Sequence, residues 1–445
     1  MGEKGGLYKI QAGFLVVSLF LIILLLFGQR LRRDEAAGQK TMQETEQEAE
    51  TVTKAEAEEE ICLMVASDLH YISPELTDHG HYFTAMIESA DGKTMEYCEE
   101  VLDVFTITVL QNKPDAVVLT GDLTFNGAKK SHEDLVKKLF AIEEAGIPVL
   151  VLSGNHDLNS RNAANFVGDS YERVEGITEE EFMELYGSFG FEEAYARDKA
   201  SGSYIWECSP KLRLLLLDVN GGEVYNSVSD ETLRWMEEEL QDAKEAGAAV
   251  IAFSHQNLLR HSMFTDGYII KNAAHVLRLY KEYGVIANFS GHLHIQHIEQ
   301  KDGFTEVTTS SLQIAPTQYA DITWDGEKLE YQTASVDVAG WARKQNVASN
   351  NLKSFDEYAK KFFCQTAYWQ AYETLIYCLE DETLLEPLIR YYMEQNYAYF
   401  SGRLDLIEQE EDLLEEWRNL GVRTSVYLDS IAREERVSQN HLVIE

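Results

Sequence analysis

Five short fragments carry the residues able to do chemistry. They are S-D-L-H at 67–70, G-D-L-T at 121–124, S-G-N-H-D at 153–157, F-S-H at 253–255 and F-S-G-H-L-H at 289–294. Together they supply Asp68, His70, Asp122, Asn155, His156, Asp157, His255, His292 and His294. In D-x-H and H-x-H, side chains two residues apart on extended backbone leave on one face and can bind together. Imidazole, carboxylate and one amide oxygen suit Mn, Fe or Zn rather than an oxygen-only Mg or Ca cage. One carboxylate can bridge two ions about 3.5–4 Å apart, the separation that clamps both oxygens of a phosphoryl displacement. Gly121, Gly154 and Gly291 precede candidate ligands, where a close backbone approach needs a missing Cβ. A single G-D or H-x-H is ordinarily a turn or a surface pair. Five such fragments in order carry the inference.

The elements that must position them read as short apolar runs. ICLMVAS (61–67), DAVVLT (115–120), IPVLVLS (147–153), LRLLLLD (212–218), AAVIAFS (248–254) and VIANFS (285–290) suit strands buried on both faces. Amphipathic helices are expected over 95–111, 131–146, 230–246 and 271–283, the second starting with Ser131 as cap and Asp134 reaching back. Each fragment lies at the carboxyl end of a run, where open α/β sheets gather their ligands, so the groups should converge. Residues 295–336 read as hairpins, and from about 352 the chain is helical and tyrosine-rich. Tyr368, Tyr372, Leu375, Ile376 and Leu379 fall at helical spacing, which favours core packing over a stacking platform.

The five blocks resemble the signature of the calcineurin-like metallophosphoesterase superfamily: D-x-H, G-D, G-N-H-D/E, H and G-H-x-H. All five are intact between residues 68 and 294. The resemblance implies an α/β fold, a four-layer α/β/β/α metallophosphoesterase sandwich over 61–336, with a C-terminal helical extension over 337–445. It implies that Asp68, His70, Asp122 and His294 hold one metal, and Asp122, Asn155, His255 and His292 another, with Asp122 bridging. His156 would contact the phosphoryl group or the leaving oxygen, oriented by Asp157. The loops SDLHYISPELTDHG and GDLTFNGAKKSHEDL are similar to those of exported Gram-positive members that group with class III cyclic-nucleotide phosphodiesterases. The expected activity is hydrolysis of a small phosphodiester by water readied between two divalent ions. A phosphomonoesterase or pyrophosphatase on the same metals is the alternative, and a non-catalytic membrane-tethered module on a disabled fold is a third reading. His79 and His81 in TDHGHYF, Asn126 in GDLTFNG and His261 in HQNLLRH are candidate substrate contacts, each with a structural reading beside it.

Composition narrows the partners. The chain has 445 residues, 45% hydrophobic, with a formal charge of −38, so it can bury a large core and repels a nucleic-acid duplex. Its five cysteines are scattered, with no metal-binding spacing, and read as thiols. From Ala12 to Phe27 only Ser18 is polar. That run reads as an N-terminal membrane-anchor helix within 1–33, a cleaved signal peptide being the competitor. Residues 34–60 hold ten acids and no aromatic side chain, and read as a disordered tether. The expectation is a single-pass protein of the cell membrane with an extracytoplasmic catalytic domain, or a secreted one after signal cleavage.

Overall fold

The computed structural model describes residues 60–222 and 224–445. The anchor expected within 1–33 and nearly all of the 34–60 tether lie outside the described residues. Among the described residues no helix is long and apolar enough to cross a membrane.

The chain alternates strands and helices. β1 (Ile61–Ala66) is followed by α1 (His81–Glu88), α2 (Cys98–Asn112), β2 (Ala116–Leu119), α3 (Lys129–Glu143) and β3 (Val149–Val151). Next come a hairpin of β4 (Ala164–Val167) and β5 (Ser170–Arg173), α4 (Glu179–Leu185), β6 (Ala196–Arg197), β7 (Tyr204–Ser209) and β8 (Leu212–Leu217). The alternation resumes with α5 (Asp230–Ala246), β9 (Ala249–Ser254), α6 (Ala273–Tyr283) and β10 (Asn288–Ser290). Two hairpins complete the sheets, β11 (His297–Lys301) with β12 (Phe304–Thr308) and β13 (Gln318–Trp324) with β14 (Leu329–Ser335). Helices α7 (Val338–Lys344), α8 (Phe355–Leu375), α9 (Leu385–Phe400), α10 (Glu411–Leu420) and α11 (Arg423–Ala432) lead to a last strand, β15 (His441–Ile444).

One sheet runs β15-β14-β13-β1-β2-β3 and the other β11-β12-β10-β9-β8-β7-β6. The six apolar runs form β1, β2, β3, β8, β9 and β10, and the parallel pairings all involve them. Strand β8 shows why a continuous run is needed. Leu212, Leu214 and Leu216 enter the core between the sheets, while Leu215 and Leu217 meet Met236 and Leu240 of α5 and Val276 of α6. Helices α2 and α3 pack on the first sheet through Phe105, Val109, Leu135 and Leu139. The C-terminal helices have a core of their own around Leu388, Tyr392, Leu414 and Trp417.

Helix starts depart from expectation where tertiary partners compete. Helix α3 begins at Lys129 with Ala128 in the cap position, so Ser131 does not cap it. Instead Ser131 Oγ accepts the Ser73 N–H at 3.0 Å, and Asp134 Oδ2 accepts the Ser73 hydroxyl at 2.7 Å. Both side chains therefore fasten the loop that leaves β1. By contrast Ser229 caps α5, accepting the Thr232 N–H, and Gly247 ends that helix in the left-handed region. All five cysteines are free thiols.

Candidate metal centre

Each strand end turns its donors into one cleft. Asp68, His70, Asp122, His292 and His294 adopt φ of 52°, 43°, 46°, 67° and 61°. These left-handed conformations cost a residue with a Cβ roughly 1–3 kcal/mol apiece and persist only where surrounding bonds dictate them. Here those bonds are visible. Asp68 N–H donates to Gly121 O at 3.1 Å and His70 N–H to Asp122 O at 2.9 Å, stitching the first fragment to the second. The His292 N–H donates to Asp68 Oδ2 at 3.0 Å, and the His156 N–H to Asp122 Oδ1 at 2.8 Å. A Cβ on Gly121 would stand 2.6 Å from His255 Nδ1, and one on Gly154 would collide with the Asp122 amide. Both glycines are needed for this approach.

Two groups of donors result. Ligand atoms of Asp68, His70, Asp122 and His294 lie within 4.8 Å of one another, and so do those of Asp122, His255 and His292. Asp122 belongs to both. Asn155 Oδ1 joins the second group, 3.1 Å from His255 Nε2. The set fits a pair of divalent cations on structural grounds. Nε2 of His70 and His294 face each other at 3.1 Å, and Asp68 Oδ1 is buried without a hydrogen bond, 3.3 Å from His294 Nε2. Buried polar atoms of this kind ordinarily have a partner, and a shared cation would take these lone pairs.

Three of the imidazoles are held by an acceptor at one ring nitrogen. His255 Nδ1–H donates to Thr120 O at 2.8 Å, His292 Nε2–H to Gly267 O at 3.1 Å, and His294 Nδ1–H to Asp91 Oδ2 at 2.6 Å. In each case the second ring nitrogen faces the cluster, where a bound cation would take its lone pair in place of a proton. Burial opposes the charge on His294, as does Lys93, but Asp68 and Asp91 outweigh them and push its pKa up to about 9. Burial likewise opposes the charge on His255, while Asp122 and then Asp68 raise it to about 9. His292 is pushed down to about 4 by burial and by His255. Burial works to raise the Asp122 carboxyl, yet His156, His255 and His70 hold it well below the usual carboxylate range.

His156 and Asp157 are not partnered as expected. His156 Nδ1–H donates to the Phe125 carbonyl at 2.6 Å, and its Nε2 lies 3.8 Å from Asp122 Oδ2. Asp157 instead accepts the N–H groups of Leu123, Thr124 and Gly154 at 3.0, 2.9 and 2.8 Å, and the Thr124 hydroxyl at 2.9 Å. Several donors from two neighbouring loops compete for that carboxylate, and a main-chain carbonyl orients the imidazole in its place. Burial, then the charge of Asp122, push the Asp157 carboxyl up to about 6.

Three of the four candidate substrate contacts have structural surroundings of their own. His81 opens α1 with its side chain 82% exposed, 3.6 Å from the Asp169 carboxylate. His79 is exposed and meets Phe83 edge-on at 5.6 Å. Their loop is drawn to the β4–β5 hairpin, because Asp78 accepts the Gly168 N–H at 2.9 Å and Tyr82 N–H donates to Gly168 O at 2.9 Å. His261 is fully buried, bonded to His297 at 3.1 Å and to Glu306 at 3.1 Å, so it supports the fold. Asn126 donates to Ala164 O at 3.3 Å, and with His156, Phe125, Phe166 and Arg173 it lines a cavity of about 310 Å³. Asp91, Lys93 and the carbonyls of Phe125 and Gly267 were not anticipated. Asp91 sits in ESADGK, which reads as an ordinary turn.

The fold is a mixed α/β metallophosphoesterase fold, and its centre gathers candidate ligands for two divalent ions. Residues 63–296 match the calcineurin-like phosphoesterase family, and the chain belongs to it. Residues 337–436 match the C-terminal domain of cyclic nucleotide phosphodiesterase. A probable cyclic nucleotide phosphodiesterase of Moraxella catarrhalis is 23% identical over 186 residues, 41% of this chain and 60% of that protein. A probable glycerophosphodiester phosphodiesterase, GpdQ, of Arcobacter nitrofigilis is 28% identical over 155 residues, 34% of this chain and 45% of that protein. The match thus spans between about half and three fifths of these relatives. A dimetal phosphatase from Danio rerio aligns over 61% of this chain and 95% of its own, at 14% identity and a TM-score of 0.45.

Proposed function

We propose that the protein is a two-metal phosphodiesterase acting on a small diester, with cyclic nucleotides in its substrate class. The observation that carries this reading is the pair of donor groups sharing Asp122. Asp68, His70, Asp122 and His294 hold one ion, and Asp122, Asn155, His255 and His292 the other. Divalent ions of the Mn, Fe or Zn type held there supply an activated water and neutralise phosphoryl oxygens. His156 presents Nε2 beside the centre, where the doubly protonated ring, its Nδ1–H held by the Phe125 carbonyl, donates a hydrogen bond or its Nε2 proton to the departing alkoxide. The Phe125 carbonyl fixes that imidazole, and Asp157 braces the two loops beneath it. The names of the two relatives and the match over 337–436 support a diester over a monoester.

In this reading residues 1–33 anchor the chain in the cell membrane and 34–60 tether it. Residues 61–336 form the catalytic domain and 337–445 the helical domain, both outside the membrane. The apolar run Ala12–Phe27 supports the anchor. Bis-p-nitrophenyl phosphate should be hydrolysed faster than p-nitrophenyl phosphate by the metal-loaded protein; a ratio below one overturns the diester assignment. The anchor predicts that the chain resists carbonate extraction from membranes and is cut by protease added to intact cells. A soluble or protected chain overturns the localisation.

A further inference from the structure

The loop after His255 and the C-terminal helices enclose a cavity that reaches the metal centre. A space of about 180 Å³ is floored by His292 and His294 and walled by Phe264, Tyr268 and Tyr427. It shares Asp91, Phe264, Phe400 and Tyr427 with a larger space of about 380 Å³, lined further by Gln370, Asn396 and Arg423. The larger volume falls within the range of small-ligand sites, ~300–1,000 Å³.

Its wall is a continuous aromatic series beginning at a candidate ligand. The Tyr268 ring lies 4.8 Å from His292, Phe264 lies 6.0 Å from Tyr268, and Tyr427 lies 5.9 Å from Phe264 at a 34° tilt. The Arg423 guanidinium stands 5.7 Å from the Phe264 ring, although the chain carries a large excess of acids. Polar groups stand at the far side and are firmly placed. Asn396 Oδ1 accepts the Tyr427 hydroxyl at 2.7 Å, and Gln370 Oε1 accepts that of Tyr392 at 3.1 Å. Gln370 also donates to Ala90 O at 3.1 Å, tying α8 to the residue before Asp91. A slot with aromatic faces, a guanidinium and amide edges suits a planar, electron-rich ring rather than an aliphatic chain.

We propose that this cavity is the subsite for an aromatic or heteroaromatic group on the phosphodiester, and that Phe264, Tyr268, Tyr427 and Arg423 set specificity for it. The proposal rests on the phosphodiesterase reading and deepens it: one organic substituent of the ester lies along the wall from His292 toward Asn396 while the phosphoryl group sits at the centre. The C-terminal helices are then part of the substrate site.

The test uses two diesters with the same leaving group, phenyl p-nitrophenyl phosphate and methyl p-nitrophenyl phosphate, on the metal-loaded full chain in detergent. Intrinsic reactivities cancel when the phenyl-to-methyl ratio of kcat/KM is compared between proteins. That ratio should fall about tenfold in Phe264→Ala and at least about threefold in Arg423→Ala, within the range of ring-stacking contributions. Ratios within twofold of wild type in both variants overturn the subsite while leaving the diesterase reading intact. If wild type cleaves neither ester, the diesterase reading falls, and binding decides the cavity separately. By calorimetry, phenylphosphonate should bind about tenfold more tightly than methylphosphonate, a preference lost in Phe264→Ala. Equal binding of the two by wild type overturns the proposal.

Discussion

Asp91 offers the sharpest test of the centre, because it touches only one of the two donor groups. Its Oδ2 accepts the His294 Nδ1–H at 2.6 Å, and Lys93 Nζ lies 3.2 Å from the same carboxylate. Truncation in Asp91→Ala leaves a buried imidazole N–H unpaired, a loss of about 1–3 kcal/mol. Losing an outer carboxylate that orients a ligand histidine ordinarily weakens metal binding about 10–100-fold, or about 1.4–2.7 kcal/mol. The two figures agree. Lys93, only 8% exposed, then faces the centre without its carboxylate, which places the loss at the upper end. Asp91→Asn keeps an acceptor oxygen and should lose about tenfold or less. Competition against a fluorescent chelator, starting from metal-free full chain, reads both sites. One site should weaken by roughly two orders of magnitude in Asp91→Ala, since His294 belongs to a single group. Wild-type affinity at both sites in Asp91→Ala would refute the reasoning.

His156→Ala should retain both ions by elemental analysis while turnover of the diester falls about 10²–10⁴-fold; metal loss would make His156 a ligand. Asp157→Asn turns an amide group toward donors that now meet a carboxylate, so its urea-unfolding free energy should fall by about 1–3 kcal/mol. Unaltered stability with lost turnover would restore the role of orienting His156. His132 is bonded to Tyr186 Oη at 3.0 Å, and burial pushes its pKa down to about 3 from an ordinary 6.5. The unfolded chain therefore takes up this proton first, and stability falls as pH drops from 6.5 toward 3. The loss is about 2 kcal/mol between pH 6.5 and 5. Urea unfolding of His132→Gln should flatten that limb, and an identical slope would count against it.

What could be read before folding, and what could not, follows from where the information resides. Parallel strands covered on both faces must be apolar at consecutive positions, so β1, β2, β3, β8, β9 and β10 stand out without any periodicity. The candidate metal donors are side chains at the ends of those strands, and they come together in the folded chain. The partners that orient these donors and His156 are mostly carbonyls, those of Thr120, Gly267 and Phe125, and every residue has a carbonyl. No side-chain pattern marks them. His261 shows the converse: only five residues separate it from His255, but the intervening chain turns so that Glu306 accepts the Leu258 and Leu259 N–H groups and takes His261 with them.

The C-terminus extends the same argument from local signals to assembly. Strand β15, which carries His441, pairs antiparallel with β14 at the edge of the first sheet. Just before it, Gln439 O accepts from Gln296 Nε2 at 2.8 Å, and Gln439 Oε1 accepts the Ile298 N–H at 2.9 Å. Phe400 O accepts the Gln296 N–H at 3.0 Å, two residues beyond His294. The helices are thus fastened to the core immediately after the candidate donor His294 and again at their end. A wall held this way has little freedom left to lose when a ring enters the cavity, so stacking energy there is not offset by ordering entropy. That is the physical reason to expect selectivity from helices that, by periodicity alone, pack only with themselves.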